Sequence, residues 1–474
     1  MSPSDGGPPA RAAQGVPPQE LPRLVQVHPG RARGSLRAPP SKSYTHRALL
    51  AGALANGPVT VHGPLVADDT LASLRTIGAI GGGFRTLENA GAATGSSSLQ
   101  WQVVPPSSWP PDRRSPPQAD VGESGTTLRL FTAAAALGRR DVRFVGHPSL
   151  ARRPMEELVH ALRSIGAVTS GPPAGASLPF SIHGPLHPGK VELRGDVSSQ
   201  FISALLFVLP LLAEASDVVV HGIPVSEPYI AATRATLLAQ GVSIEPTEQG
   251  YHVPGGQRYS VSDLHVPGDA SSAAYLLALG ALTGGPVRVE GLPAEWPQAD
   301  LALLEVLTAA GAHVSRSEDV VEVKGGPLPL SPFEADLDPS PDLAPLLAVL
   351  ASFSSGRSVL NGGAHLAAKE SDRRQGSLRL ARALGAKAKD DGRTITIEGP
   401  VSARSLDLRD LHDHRMLFSA VVAASALPEP SLVGDGTCAS KSNPGFFDEL
   451  RALGIAFTVD RSQDRQERVR EDRP

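Results

Sequence analysis

Residues 47–63 read RALLAGALANGPVTVHG: an Ala/Leu-rich run, an Asn-Gly-Pro turn, then Val-Thr-Val-His closed by glycine. The first part has the apolar density of a buried helix, and the last alternates as a short strand does. The same order of helix, turn, strand and glycine recurs over Leu128–Gly146, Phe201–Gly222, Ala273–Gly291, Leu343–Gly362 and Arg415–Gly434. The closing glycines are 69 to 83 residues apart. After each comes a second amphipathic run stopped by its own glycine: Gly78, Gly166, Gly241, Gly311, Gly385 and Gly454. Glycine just past a helical pattern is a C-cap signal, because it takes positive φ at no steric cost. Recurrence in fixed order marks a repeated architecture. The chain is therefore expected to be α/β, with six units of two helices and interspersed strands.

A chain of 474 residues exceeds one ordinary core and points to two or three domains. Hydrophobic residues make up 41% and charged residues 19%, the balance of a folded soluble protein. Aromatics are only 4%, so Leu, Val and Ala must fill the interior. A net charge of −4 argues against a nucleic-acid binder held by its overall field. The single cysteine, Cys438, excludes an internal disulfide framework and an all-cysteine metal site. The longest apolar run, Phe201 to Ala213, contains Ser203 and Pro210 and is too short to span a bilayer. With no signal-peptide pattern, the expected setting is the cytoplasm. The Pro-rich start (1–21) and the charged end (461–474) read as disordered tails, and Trp101–Gln118 reads as a long Pro/Ser-rich surface loop.

Only seven of the 44 basic residues are lysines. Lysine is a compact charge whose pKa its surroundings can move, unlike that of arginine, so lysines kept in polar clusters stand out. Lys42 lies in Pro39-Pro40-Ser41-Lys42-Ser43-Tyr44-Thr45-His46-Arg47, just before the first helix. Lys369 opens Lys369-Glu370-Ser371-Asp372-Arg373-Arg374, and Lys441 stands in Ser440-Lys441-Ser442-Asn443-Pro444. Gly195-Asp196-Val197-Ser198-Ser199 and Gly268-Asp269-Ala270-Ser271-Ser272 each open a helical run. There, Asp and Ser side chains cap free N–H groups, which bind anions when left open. Gly184–Lys190 imitates a P-loop, but two prolines remove N–H groups and Val191 replaces the Mg²⁺-binding hydroxyl. His412-x-His414 lacks the further ligands of a metal site.

Taken in order, these clusters resemble the 3-phosphoshikimate 1-carboxyvinyltransferase (EPSP synthase) family of enolpyruvyl transferases. Ser41-Lys42-Ser43 with Arg47 is similar to its first signature. Asp120-x-Gly122-x-Ser124-Gly125-Thr126-Thr127-x-Arg129 is similar to its second. Arg152-Arg153-Pro154-Met155, Ser198-Ser199-Gln200, Ser226-x-Pro228-Tyr229 and Pro341-Asp342 follow. Lys369-Glu370-Ser371-Asp372-Arg373, Asp413-His414-Arg415-Met416 and Lys441-Ser442 complete the order, from about Val25 to Val459.

The resemblance implies a two-domain inside-out barrel of six βαβαββ units with substrates in the interdomain cleft. One domain would be 41–265 and the other 22–40 plus 266–460. It implies transfer of the enolpyruvyl group of phosphoenolpyruvate to the 5-hydroxyl of 3-phosphoshikimate, on the route to chorismate and the aromatic amino acids. Neither a metal nor an organic cofactor is implied, nor a nucleic-acid or membrane partner; a monomer is expected. By the same resemblance Lys42, Gly125, Arg153, Gln200, Arg373, Arg415 and Lys441 would hold phosphoenolpyruvate. Lys42, Ser43, Arg47, Ser198, Ser199, Gln200, Ser226, Asp342, His365 and Lys369 would hold 3-phosphoshikimate. Addition followed by elimination needs a base for the hydroxyl and a proton donor for the methylene carbon. Asp342 and Glu370 are the candidates, with Lys42 and Lys441 assisting. Pro40, Glu123, Glu227, His365 and Asn443 depart from the family pattern. Two other readings are a UDP-N-acetylglucosamine enolpyruvyl transferase and a non-catalytic anion-binding paralogue.

Overall fold

The computed structural model describes residues 21, 23–87, 99–106, 117–171 and 177–459. Its strands form six four-stranded sheets of one pattern. In one uninterrupted unit, strand Gln118–Asp120 leads through helix Gly125–Ala135 to strand Val142–Val145. Helix Glu156–Ser164 and strands Val168–Ser170 and Phe180–His183 follow. The first two strands pair in parallel, and Phe180–His183 lies antiparallel between Val142–Val145 and Val168–Ser170. The units over 190–253 and 334–398 repeat this order within continuous chain.

Three sheets are completed from a distance. His265 lies opposite His62 where Asp263–His265 joins Val59–His62 in parallel. Gly34–Arg37 joins Pro286–Glu290 in the same way. Leu24–Val27 inserts antiparallel between Ser431–Gly434 and Phe457–Val459. The buried side chains accordingly fall into two cores, one from Ala48 to Leu264 and one joining Val25–Ala38 to Ala270–Ile455. Each core contains three inner helices that are apolar almost all round, the composition that forces full burial. In Ala270–Thr283, for example, only Ser271 and Thr283 are not buried.

The two crossings between cores run side by side. Ser41 N–H donates to the Pro267 carbonyl at 2.8 Å and Asp269 N–H to the Pro39 carbonyl at 2.7 Å. Ser41 Oγ adds a bond to Asp269 Oδ1 at 3.0 Å. Pro40, bridged to Gly268 here, has no N–H to leave unpaired. Gly268 is required by proximity: a Cβ would meet the Gly291 carbonyl and lie 2.6 Å from Ala38 Cβ.

Five of the six helix-stopping glycines take positive φ, from 77° at Gly241 to 110° at Gly166. Gly78 does not; it lies inside helix Asp68–Ala79, and Gly81, at φ 94°, makes the turn instead. The stretch expected to be one loop from Trp101 to Gln118 begins and ends as strand. Gln100–Val104 alternates inward and outward, burying Trp101 and Val103, a period-2 signal that the following prolines obscured. Residues 107–116 of that loop, and the tails apart from Leu21, lie outside the described residues. Lys42 is the first residue of its helix rather than a residue ahead of it.

Candidate active site

The N-terminal turns leading into the six inner helices converge on one cavity between the cores. Lys42–Leu54 contributes Lys42, Ser43 and Arg47; Gly125–Ala135 contributes Gly125, Thr126 and Arg129. Ser199–Val208 contributes Ser199 and Gln200, and Ala270–Thr283 contributes Ser271. Asp342 sits on the short turn Pro341–Leu343 leading into Ala344–Ser352, and His414–Ala426 contributes His414 and Arg415. Helix N-termini carry unpaired N–H groups and the positive end of the dipole, so this convergence favours anions. Four of the starts are capped by side chains. Ser124, Ser198, Asp269 and Asp413 accept from the amides of Thr127, Gln200, Ser272 and Arg415. The two Gly-Asp-x-Ser-Ser copies thus cap differently, because Asp196 instead binds Arg194.

Seven basic residues line the cavity: Lys42, Arg47, Arg129, Arg153, Lys369, Arg373 and Arg415. Four carboxylates, Asp69, Asp269, Asp342 and Glu370, oppose them. The excess is positive and suits a ligand with several negative charges.

Arg373 is the hub. Its Nε and Nη2 donate to Asp413 at 2.9 and 3.3 Å, Nη1 to Asp342 Oδ1 at 2.6 Å, and Nη2 to Glu370 Oε2 at 2.8 Å. Three carboxylates from three separate segments are held by one guanidinium that is 1% exposed. That leaves one Nη1–H for a ligand. The other oxygens of Asp342 and Glu370 meet Arg415 Nη2 at 2.9 Å and Arg153 Nη2 at 3.1 Å. Burial pushes both carboxyls up, but the surrounding arginines outweigh it and hold each well below the usual range. Both are therefore anionic at neutral pH.

Elsewhere, Lys42 Nζ pairs with Asp69 Oδ2 at 3.0 Å. Arg47 donates to Thr233 Oγ1 and the carbonyls of Ser43 and Tyr229, and burial lowers its pKa to about 10. Arg129 Nη1 donates to Gln200 Oε1 at 2.7 Å, and Gln200 in turn donates to Thr126 Oγ1 at 3.0 Å. Gly125 allows close packing: a Cβ there would lie 2.8 Å from Arg153 Nη1 and 2.9 Å from Arg129 Nη1. Ser226 is held at φ 57°, a costly conformation for serine, while its N–H donates across the seam to the Asp338 carbonyl at 2.9 Å. His365 is neutral near pH 7: burial and then Lys369 lower its pKa to about 4, and neither ring nitrogen has a hydrogen-bond partner.

Every residue expected at the site except Lys441 lines this cavity. Lys441 lies outside the lining but within electrostatic reach of Glu370, its Nζ donating to Glu123 Oε2 at 2.9 Å. Several lining residues were not singled out for a role. Arg129, Asp269, Ser271 and His414 lay inside quoted motifs and could have been found there; Asp69 is recognisable only from its neighbours. His414, set aside as half of a weak metal pair, is buried against the cavity with both nitrogens unbonded. Among the described residues, no cluster of three or more His, Cys, Asp or Glu could hold a metal ion, and no helix is long and apolar enough to cross a membrane.

Beside the main cavity a smaller one is lined by Asp269, Ser271 and Asp300. Asp300 is 3% exposed, accepts from Ser271 Oγ, and has no partner for Oδ1. Burial, reinforced by Asp342, raises its pKa to about 7. The folded state thus binds this proton more tightly than the unfolded chain, and stability falls as pH rises from about 4 through about 7. Asp300→Asn is expected to match wild type near pH 4 and to exceed it at pH 8 by about 1–3 kcal/mol, the usual penalty of an unsatisfied buried polar group. Urea unfolding at both pH values checks this; an equal effect at both would contradict it.

Two α/β globules facing their helix starts and arginines into one cationic cleft, with two carboxylates fixed on the same guanidinium, define an enzyme that acts on multiply charged anions. The profile of the EPSP synthase (3-phosphoshikimate 1-carboxyvinyltransferase) family matches residues 27–450, and the chain belongs to that family. A 3-phosphoshikimate 1-carboxyvinyltransferase of Thermococcus kodakarensis is 40% identical over 426 residues, covering 89% of this chain and 97% of the relative. Those of Methanocorpusculum labreanum and Nitrosomonas europaea are 37% and 36% identical, covering 89% and 90% of this chain and 96% and 97% of the relatives. In fold, the chain is similar to EPSP synthase from Acinetobacter baumannii, with TM-score 0.75, 24% identity, and coverage of 92% of this chain and 100% of that one. The enolpyruvyl transferase NikO from Streptomyces tendae aligns with TM-score 0.69 at 17% identity, covering 92% of this chain and 99% of that one.

Proposed function

We propose that the cleft carries out the family's reaction between two domains, 41–265 and 22–40 plus 266–460, which close around the substrates. The enzyme transfers the enolpyruvyl group of phosphoenolpyruvate to the 5-hydroxyl of 3-phosphoshikimate and releases phosphate. The observation that carries the site assignment is the Arg373 hub, which sets Asp342 and Glu370 on one guanidinium at the meeting of the helix starts.

Asp342, anionic and buried, takes the proton of the 5-hydroxyl as its oxygen bonds to C2 of phosphoenolpyruvate. Glu370 gives a proton to C3, which becomes a methyl group. The incoming carboxylate and phosphate compete for Arg153 and Arg373 and add negative charge, so the pKa of Glu370 rises towards that of a donor. In the second half Glu370 takes a proton back from C3, the C2–phosphate bond breaks, and the vinyl group re-forms. The proton first taken by Asp342 ends on phosphate, with Lys42 and Lys441 assisting. Arg153, Arg373, Arg415, Lys42, Lys441, Gly125 and Gln200 hold phosphoenolpyruvate. Lys42, Ser43, Arg47, Ser198, Ser199, Gln200, Ser226, Asp342, His365 and Lys369 hold 3-phosphoshikimate. The reaction draws on no cofactor. We take the protein to work as a monomer and place it in the cytoplasm.

Arg153→Lys keeps the charge but loses the planar fork. The KM for phosphoenolpyruvate is expected to rise about 10–100-fold, the loss of a hydrogen bond to a charged group. The KM for 3-phosphoshikimate should move far less; equal rises in steady-state kinetics would assign Arg153 to the wrong substrate.

A further inference from the structure

Lys441 ends the turn Gly436–Lys441 on one globule, and Glu123 stands on the other, just ahead of helix Gly125–Ala135. Their 2.9 Å pair therefore joins the two globules beside the cleft. The second oxygen of Glu123, Oε1, accepts from Ser149 Oγ at 3.0 Å and lies 2.9 Å from His147 Nδ1. Burial alone would raise this carboxyl, but Lys441, Ser149 and His147 together hold it below the usual range, so it is charged at neutral pH. Next to Lys441, Ser440 Oγ donates to Asp68 across the same seam. The lysine side chain is only 12% exposed, and it is the one expected clamp residue that does not line the cavity. Its charge is thus already neutralised by a carboxylate from the opposite globule.

We propose that Glu123 is a positioning residue that acts through Lys441, a resident counter-anion holding the ammonium beside the cleft until a phosphate-bearing substrate displaces it. This rests on the reading of Lys441 as part of the phosphoenolpyruvate clamp. The exchange breaks one lysine–carboxylate pair and forms one lysine–phosphate pair; the freed carboxylate keeps Ser149, His147 and water. A phosphate monoester carries nearly two charges at neutral pH and outcompetes the carboxylate, whereas a monoanion gains nothing by the exchange. Glu123 therefore weakens anion capture overall and biases Lys441 towards dianions.

Glu123→Gln keeps the shape and removes the charge. The expected result is a KM for phosphoenolpyruvate lowered about 2–5-fold, the scale of a partly exposed ion pair. The kcat and the KM for 3-phosphoshikimate stay unchanged, and Glu123→Asp retains the wild-type KM. In a Lys441→Met background, Glu123→Gln should no longer lower the KM. A KM unchanged or raised in Glu123→Gln, or lowered equally without Lys441, overturns the proposal. If Lys441→Met alone leaves the phosphoenolpyruvate KM untouched, the error lies instead in assigning Lys441 to the clamp, and the proposal falls with that assignment.

Discussion

Glu370→Gln is expected to lower kcat by about 10²–10⁴-fold, the range lost when a positioned general acid–base group is removed. Glutamine keeps an oxygen able to accept from Arg373 and an outline that fits beside Arg153, the two partners the carboxylate has at 2.8 and 3.1 Å. Calorimetry should accordingly show substrate affinities much closer to wild type than the rate is. Exchange of solvent tritium into the methylene of phosphoenolpyruvate isolates the step: it should vanish with kcat. Wild-type exchange in Glu370→Gln would remove this residue from proton donation, whatever happened to overall turnover. Asp342→Asn should cost a similar factor in rate. It should also weaken 3-phosphoshikimate, since the lost base is one of the residues proposed to hold that substrate.

The second large effect concerns stability. Arg373→Met replaces the hub by a shorter apolar side chain and strands the carboxylates of Asp342, Glu370 and Asp413 in a buried site. Removing one partner of a buried ion pair typically costs about 3–5 kcal/mol, and that loss is expected in the urea unfolding of the variant at pH 8. The sign of the pH dependence follows from the wild-type shifts. Burial pushes all three carboxyls up, but arginines, Arg373 among them, hold them down, with Asp413 at about 2. Groups with depressed pKa values contribute stability above their unfolded values and lose it as pH falls. The gap between wild type and Arg373→Met should therefore shrink from pH 8 to pH 4, where the stranded carboxyls can bind protons. A variant within about 1 kcal/mol of wild type at pH 8, the scale of an exposed ion pair, would show that the hub is not a structural centre.

The repeated part of the fold was legible because its signals are local. A buried helix needs a run of Ala and Leu, and the residue that ends the second helix needs positive φ, so glycines such as Gly166 and Gly385 mark units a reader can count. Gly78 misled because a helix tolerates glycine and the turning residue lay three positions on, at Gly81. Register between distant segments leaves no such mark. Nothing in the four residues Leu24–Val27 announces that they fit between Ser431–Gly434 and Phe457–Val459. At the site, the motifs named most of the cations that line the cavity but not what those cations touch. The pairing of Arg373 with Asp342 and Asp413 joins residues 31 and 40 positions away, and that of Lys441 with Glu123 joins residues 318 apart. The first two contacts form only as their own globule folds, and the last exists only once the two globules face each other.

If this cleft joins phosphoenolpyruvate to 3-phosphoshikimate, the wild-type protein releases phosphate only when both substrates are present. With phosphoenolpyruvate alone, phosphate should not accumulate; adding 3-phosphoshikimate should release it in step with a product bearing one enolpyruvyl group. Release that ignores 3-phosphoshikimate, that depends on UDP-N-acetylglucosamine instead, or that never occurs with both substrates present would contradict the account.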